Sequence, residues 1–251
     1  MRCTFENKIA LVAGAAGGMG RQIALDLLDA GACVVGADMQ AEPDQFRGRC
    51  DKWSYVQGDL ATAAAVKRAV ESAANRFGGL DIVANTVGVL WFDRDKTLIE
   101  IEEDVWDRVL AINLKPMVWL ARFAVPEMRK RGGGAFVHFS SVDGTGGDLV
   151  PQDAYGASKA AMLRVSKSIA IQFAKDKIRS NVILPGNVST PMQNRWRDNP
   201  DALSALEKCI PLGRVGTATD MSNVALFLLS DQASYVTGAD FVVDGGATAG
   251  V

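Results

Sequence analysis

The chain has 251 residues, of which 48% are hydrophobic and 22% charged, and it carries a formal net charge of −2. This is the composition of an ordinary globular protein, and so weak a charge excludes a surface built for nucleic acid or anionic membranes. The four cysteines show no CxxC spacing and His138 is the only histidine, which argues against a metal site or a disulfide framework. No secretory segment opens the chain and no run of 18 apolar residues occurs, so we expect a cytoplasmic protein without a membrane span.

Short apolar runs alternate with longer amphipathic stretches along the whole chain. The predicted strands are Ile9–Ala13, Cys33–Ala37, Ser54–Gln57, Ile82–Ala84, Ala135–Phe139, Ser180–Leu184 and Phe241–Val243. Helical patterns cover about 18–30, 62–76, 104–130, 154–175 and 219–230. This alternation indicates right-handed β-α-β units, and apolar runs without strict alternation indicate strands buried on both faces. We predict one α/β domain over residues 1–251, a doubly wound parallel sheet of about seven strands with helices on both faces.

A glycine-rich turn follows the first predicted strand and precedes a helical pattern. Gly14, Gly18 and Gly20, with Met19 between the last two, permit a tight turn and a close approach of backbone to a pyrophosphate. The N-terminus of the next helix adds free N–H groups and positive partial charge. A tight connection without any ligand is the alternative, but the strand–turn–helix context favours a dinucleotide site.

Asp38 ends the second predicted strand, 18 residues after Gly20. A carboxylate at this place accepts both ribose hydroxyls of an adenosine and repels a 2′-phosphate. No Arg or Lys lies in the glycine loop and Met39 follows Asp38, so we predict that the cofactor is NAD rather than NADP. A solvated turn residue is the alternative for Asp38.

Two further segments follow strands and are expected near a cofactor. Asp59 and Leu60 come after the third strand and are predicted to contact the adenine edge, although an aspartate there could equally cap the next helix. Asn85 and Gly88 follow the fourth strand, and strand ends line the ligand crevice in such sheets.

Tyr155 and Lys159 are one turn apart on a predicted helix. Their i, i+4 spacing puts the phenol and the ammonium on one face, where the cation is expected to lower the pKa of the phenol. Tyr155 can then pass a proton to or from a substrate oxygen while a hydride moves on carbon. Taken alone, this pair is also the pattern of a surface aromatic–cation contact.

Other polar residues strengthen the interpretation of Tyr155 and Lys159 as a proton-transfer pair. Ser140 and Ser141 end the fifth predicted strand, and Ser141 stands 14 residues before Tyr155. Either hydroxyl could hold the same substrate oxygen, with Ser141 preferred, while a strand-end turn is the alternative. Asn113 lies in a helical run three residues before Pro116, where a kink is expected, and can hold a water in a proton path.

With these residues in place, the chain resembles the single-domain short-chain dehydrogenases/reductases over nearly its whole length. The matching segments, in family order, are the glycine loop 14–20, Asn85–Gly88, Asn113, Ser141, Tyr155 with Lys159, and Pro185–Thr190. The resemblance implies a Rossmann-like fold and transfer of a hydride between a nicotinamide and an alcohol or ketone. It also implies a homotetramer, often formed through the two long helices.

The resemblance assigns roles to individual residues. It implies that Tyr155 is the general acid/base and that Ser141 orients the substrate oxygen. Lys159 would hold the nicotinamide ribose and lower the pKa of the tyrosine, and Asn113 would support a water relay. Further along the chain, Val188 and Thr190 would bind the nicotinamide amide.

The chain departs from the family pattern at several positions. Ala13 stands where a threonine is frequent, Thr86 where an asparagine is frequent, and His138 where another asparagine is frequent. Strand alternation points His138 away from Ser141, so we interpret it as structural. The loop Val142–Ala154 is one residue longer than in most members and is expected to bulge into the substrate site.

The segment at about 190–212 is predicted to form a lid over the substrate. Its apolar residues are Met192, Trp196, Leu203, Leu206 and Ile210. Trp91 and the loop Leu149–Pro151 are expected to face the same cavity, which favours a cyclic, aromatic or otherwise apolar alcohol. Two alternatives stay open: an NADPH-dependent carbonyl or 3-oxoacyl reductase, and a dinucleotide-binding regulator without turnover.

Overall fold

The computed structural model of the chain describes residues 3–49, 51–147, 149–191 and 199–250. Within them lie the seven strands β1 (Ile9–Ala13), β2 (Cys33–Asp38), β3 (Trp53–Gln57), β4 (Ile82–Asn85), β5 (Gly134–Phe139), β6 (Ile178–Pro185) and β7 (Asp240–Val243). Their order across a single sheet is β3-β2-β1-β4-β5-β6-β7, and all six pairings are parallel. The predicted parallel α/β sheet of about seven strands is confirmed.

Helices connect the strands and cover both faces of the sheet. They are α1 (Gly18–Asp29), α2 (Ala63–Phe77), α3 (Glu103–Lys130), α4 (Asp153–Gln172), α5 (Pro200–Lys208) and α6 (Ala218–Leu229). α5 lies inside the segment predicted as a lid, whose Met192 and Trp196 fall outside the described residues. The other five helices match the predicted helical stretches.

The strand order changes direction between β1 and β4. Chain order runs outward from β1 through β2 to β3, and then outward on the other side from β4 to β7. In the register of the sheet, Ala13 lies beside both Ala37 of β2 and Asn85 of β4. The connections leaving β1 and β4 therefore diverge, and a crevice opens at the carboxyl ends of these strands.

The core consists of an apolar layer on each face of the sheet. Alternate residues of β1 serve the two layers: Ala10 and Val12 pack toward α1 and α6, and Leu11 and Ala13 toward α2, α3 and α4. Both sets are almost completely buried, as expected for a parallel sheet covered on both faces. This packing fixes the strand ends that form the crevice.

α3 is 28 residues long and continues through Pro116 and Pro126. The expected kink at Pro116 therefore does not end the helix. By length and composition α3 could cross a membrane, a test that core helices of globular proteins also pass. Here Val109, Met117 and Leu120 are buried against the rest of the fold, so α3 is a core helix.

His138 is fully buried on β5. Its Nδ1 lies 3.4 Å from Nδ2 of Asn85, and its ring stacks on Phe136 with 5.7 Å between centroids. In the part of the chain that the structure describes, its Nε2 is the one buried side-chain nitrogen or oxygen without a hydrogen-bond partner. Burial lowers the pKa of His138 to about 3, because the imidazolium would lose its hydration.

Protonation of His138 is expected to destabilise the fold. Because its pKa is 6.5 when unfolded and about 3 when folded, its contribution is intact above pH 6.5 and is lost as the pH falls toward 3. Between pH 7 and pH 5 the loss is about 2 kcal/mol. Urea unfolding at both pH values should show a larger acid-induced loss for the wild type than for His138→Asn. Equal losses in the two proteins would contradict this assignment.

Candidate active site

Two adjoining cavities lie at the carboxyl ends of the strands. The larger is a cleft of about 440 Å³ that runs over the glycine loop and the ends of β2, β3 and β4. The smaller, of about 200 Å³, lies beside Tyr155 and the ends of β5 and β6. Met19, Leu90 and Thr190 line both, so the two cavities share a wall.

The glycine loop is folded tightly back on itself. A Cβ at Gly20 would lie 2.1 Å from the carbonyl oxygen of Gly14, which no side chain could tolerate. α1 then begins at Gly18, and neither a capping side chain nor an acidic residue occupies its first turn. Among the described residues, no side chain accepts from the N–H groups of that turn, which fits a pyrophosphate.

Thr86 holds this loop from the neighbouring strand. Its Oγ1 donates to the carbonyl oxygen of Ala13 at 2.9 Å and approaches that of Gly14 at 3.3 Å. Thr86 thus fastens the start of the glycine loop to the segment that follows β4.

Asp38 lies at the end of β2 with both carboxylate oxygens engaged by backbone. Oδ2 accepts from the N–H of Ala16 at 3.0 Å, and Oδ1 accepts from the N–H of Gln40 at 3.1 Å. Among the described residues that line the cleft, Arg108 is the one cation, and it pairs with Asp59 at 3.1 Å. The end of the cleft at Asp38 therefore carries a negative charge.

Asp59 does not cap α2, so that alternative is wrong. Its Oδ1 accepts from the N–H of Ala61 at 2.9 Å, whereas the Thr62 side chain accepts from the N–H of Ala65 at the start of the helix. With its Oδ2 on Arg108, Asp59 forms part of the cleft wall.

Most of the residues predicted to hold the cofactor line the larger cleft: Gly14, Gly18, Met19, Gly20, Asp38, Met39, Asp59, Leu60, Gly88 and Thr190. Val188 and Tyr155 line the smaller cavity instead. Asn85 lines neither, because its side chain is fully buried between His138 and the N–H of Val87. Trp91, expected to face the substrate, lines the larger cleft, while Val150 does line the smaller one.

Tyr155 and Lys159 lie in the first turns of α4, and both are buried. Lys159 Nζ donates to the carbonyl oxygen of Phe139 at 2.9 Å and lies 5.4 Å from the centroid of the Tyr155 ring. Burial lowers the pKa of Lys159 to about 8, against the opposing effect of the Asp143 carboxylate.

The pKa of Tyr155 is raised, not lowered as the sequence predicted. Burial is the largest cause, the nearby Ser141 hydroxyl acts against it, and the Asp143 carboxylate adds to it. The phenolate is disfavoured because the side chain is only 8% exposed, so little water can solvate the charge. In the chain alone, Tyr155 therefore holds its proton at neutral pH.

The two serines at the end of β5 differ in their partners. Ser140 Oγ donates to the carbonyl oxygen of Lys159 at 2.8 Å. Ser141 Oγ donates to Oδ2 of Asp143 at 2.9 Å and accepts from the N–H of the same residue at 3.2 Å. Ser141 thus forms the strand-end turn given as its alternative, and its hydroxyl still lies beside Tyr155 at the cavity. This geometry favours Ser141 over Ser140 as the group that meets a substrate.

Asn113 ties three segments together from the middle of α3. Its Oδ1 accepts from the N–H of Val89 at 2.8 Å, and its Nδ2 donates to the Val89 carbonyl and to Ser158 Oγ at 3.1 and 2.9 Å. Both amide hydrogens are used in these contacts. The side chain thus fixes the wall of the cleft against α4, and a water relay through Asn113 stays a prediction.

Asp95 is a buried residue of the site region that the sequence reasoning missed. It is completely buried, and its oxygens accept from the N–H groups of Ala154 and Tyr155 at 3.0 and 2.8 Å. The residue before α4, Gln152, makes no side-chain cap, so Asp95 caps the helix from another segment. No local spacing links positions 95 and 154, which is why this contact is visible only in the fold.

Together, the parallel sheet, the cleft at its switch point and the Tyr–Lys pair define an oxidoreductase of the nicotinamide-dependent α/β type. A family model described as enoyl-(acyl carrier protein) reductase matches residues 14–248. The chain belongs to the short-chain dehydrogenase/reductase family, whose members act on CH–OH or carbonyl groups with NAD or NADP.

Known relatives span the chain almost completely. A probable short-chain type dehydrogenase/reductase of Bradyrhizobium diazoefficiens is 35% identical over 98% of this chain and 89% of its own length. A 3-oxoacyl-[acyl-carrier-protein] reductase of Thermotoga maritima is 34% identical over 96% of this chain and 98% of its own. The aldohexose dehydrogenase of Thermoplasma acidophilum has the same fold, with a TM-score of 0.86 over 98% and 95% of the two chains at 24% identity.

Removal of the Asp95 cap is expected to destabilise the protein strongly. Asp95→Ala leaves two buried N–H groups without acceptors, at a cost of about 3 kcal/mol or more. Asp95→Asn keeps one acceptor and should lose less. The exposed Glu103 in the first turn of α3 provides a control, because Glu103→Ala should cost at most about 1 kcal/mol. Urea unfolding measures all three, and similar losses for the Asp95→Ala and Glu103→Ala variants would contradict the capping role.

Proposed function

We propose that this chain oxidises a secondary alcohol to a ketone with NAD, using Tyr155 as the acid/base. One observation carries the proposal: the buried phenol and the Ser141 hydroxyl line a cavity that adjoins the nucleotide cleft, and the Lys159 ammonium lies 5.4 Å from the centroid of the phenol ring. A regulator that only binds a dinucleotide would need no proton-transfer group in such a place.

Each residue has a definable task in this proposal. NAD supplies the hydride acceptor and, in its oxidised form, a positive charge that favours the phenolate. In its phenolate form Tyr155 accepts the proton of the carbinol oxygen, and Ser141 orients that oxygen, since its hydroxyl hydrogen can rotate from Asp143 to the substrate. Lys159, held by the Phe139 carbonyl, keeps a cation beside the phenol. Asn113 keeps the cleft wall in place.

The choice of NAD is supported by the charge around Asp38. Its carboxylate stands at the ribose end of the cleft, and the neighbouring Met39 is 63% exposed and uncharged. A 2′-phosphate there would approach a negative charge without a cation to balance it. A reductase that uses NADPH would favour a cation rather than a carboxylate at this place.

An apolar or cyclic substrate body is supported by part of the smaller cavity. Leu90, Val142 and Val150 line one side, and a volume of about 200 Å³ accommodates a single ring. The segment at about 190–212 is proposed as the lid. α5 lies within this segment, whereas residues 192–198 of the segment lie outside the described part of the chain.

The oligomeric state and the cellular location are proposed from the resemblance to the family. A homotetramer through α3 and α4 is supported by Val118 and Ile171, apolar side chains that are 43% and 79% exposed on these helices. We place the protein in the cytoplasm, where nicotinamide cofactors are available.

Loss of the phenol hydroxyl is expected to abolish turnover while leaving cofactor binding. Tyr155→Phe should lower NADH formation by at least about a hundredfold, because the proposed general base is lost. Its affinity for NAD, measured by calorimetry, should stay within about threefold. Tyr235→Phe makes the same change at a fully exposed side chain and should leave both values unchanged. NADH formation that survives in Tyr155→Phe would contradict the catalytic role.

Removal of the Asp38 charge is expected to weaken the preference for NAD. Asp38→Ala should reduce the ratio of kcat/KM for NAD to that for NADP by about tenfold to a hundredfold, because a charged hydrogen bond to the ribose is lost and repulsion of the 2′-phosphate ends. Asp44→Ala, six residues further along in an exposed turn, removes an equal charge and should leave the ratio unchanged. A wild type that prefers NADP would refute the charge argument.

A further inference from the structure

The proposed reaction assigns no task to Arg108, a residue of α3 that lines the larger cleft. Leu60 and Ile112 line the same cleft, and Ile112 lies one helical turn after Arg108 on α3. Asp59 Oδ2 accepts from Arg108 Nη2 at 3.1 Å. Because Asp59 and Leu60 are the residues predicted to contact the adenine edge, Arg108 lies at the end of the cleft that would receive the base of a dinucleotide.

The ion pair between Arg108 and Asp59 is not needed to hold this part of the fold together. The two side chains are 51% and 37% exposed, and ion pairs in contact with water contribute little to stability. α3 is fixed to the same loop elsewhere, since Trp119 Nε1 donates to the carbonyl oxygen of Ala61 at 3.1 Å. The other carboxylate oxygen of Asp59 is held by the N–H of Ala61. Arg108 is therefore not required to place Asp59.

The chemistry of a guanidinium indicates what Arg108 can contact in the cleft. Its N–H groups lie in the plane of the group, so the hydrogen bond to Asp59 engages an edge of the guanidinium and neither of its flat faces. Those faces are weakly hydrated and stack on aromatic rings, whose electron-rich faces attract a cation. A nucleobase presents such a ring face.

The neighbours of Arg108 favour a flat apolar ligand at this end of the cleft. Leu60 is only 5% exposed, and Ile112 lies beside it along the cleft wall. A ring that enters here loses water from its faces, which is favourable. Since half of the Arg108 side chain is exposed and Leu60 is buried, Arg108 lies at the mouth of this part of the cleft.

We propose that the guanidinium of Arg108 stacks on the adenine of the bound dinucleotide and covers it at the mouth of the cleft. The inference rests on the dinucleotide cofactor of the proposed function and adds a residue to its binding site. Asp59 holds the guanidinium in place through its edge. The carboxylate of the pair then meets the edge of the base, and the guanidinium meets its face.

Calorimetric titration of the full chain with ADP tests this contact without turnover, because ADP carries the base, ribose and pyrophosphate alone. Arg108→Met keeps a long apolar side chain and removes the planar cation, and it should weaken ADP binding about fivefold. The titrations are carried out in about 0.5 M NaCl, where attraction between an exposed cation and the phosphates is screened. A loss that is present in dilute buffer and absent in this salt would assign Arg108 to the phosphates and overturn the inference.

Inosine diphosphate separates stacking from an indirect effect through Asp59. Its base has a carbonyl oxygen in place of the amino group, so it offers the carboxylate no donor there, while its ring can still stack. Arg108→Met should therefore weaken the binding of ADP and of inosine diphosphate by similar factors. Asp59→Asn should weaken ADP binding alone. A loss in Arg108→Met that is confined to ADP would contradict stacking.

Arg129→Met is the matched control. Arg129 lies on the same helix, is also 51% exposed and also pairs with an aspartate, Asp176, but it does not line the cleft. Its affinity for both nucleotides should equal that of the wild type. Equal affinities in Arg108→Met and the wild type overturn the inference, and a wild type that does not bind ADP contradicts the proposed cofactor as well. Nucleotide binding that Arg108→Met weakens, in a protein that oxidises no alcohol, contradicts the proposed reaction alone.

Discussion

Ala13 and Asn85 lie side by side in the parallel pairing of β1 with β4, and the position of both cavities follows from this contact. The glycine loop leaves β1 in one direction, and the segment after β4 leaves in the other. Thr86 joins the two segments at the point where they part, through hydrogen bonds to the carbonyl groups of Ala13 and Gly14. A register shift of one residue in either strand would turn the side chains of that strand to the opposite face of the sheet and separate the two segments.

The segment between β4 and α3 connects these strand ends to α4, which carries Tyr155. Asn113 holds it at Val89 from α3, and Asp95 holds its other end on the first N–H groups of α4. Tyr155 is therefore positioned by two buried polar side chains that approach from different elements. Because buried polar groups have few alternative partners, such contacts fix one arrangement where apolar packing alone would allow several.

Periodicity and turn chemistry were sufficient to predict the fold from the sequence, because buried parallel strands and the glycine turn leave local patterns. The Tyr155–Lys159 pair was also readable, since one helical turn separates the two residues. The Asp95 contact was not, because it depends on which loop crosses the start of α4. The direction of the Tyr155 pKa was wrong for a related reason: spacing showed the nearby cation, but only the fold shows how completely the phenol is buried.

Burial shifts the pKa values of both Tyr155 and Lys159. It raises the pKa of Tyr155 and lowers that of Lys159 to about 8, so in the chain alone at neutral pH the phenol keeps its proton and Lys159 stays mostly protonated. Oxidation of an alcohol needs the phenolate, and therefore depends on what charge enters the site. An oxidised nicotinamide brings a positive charge, whereas the Asp143 carboxylate acts against the phenolate.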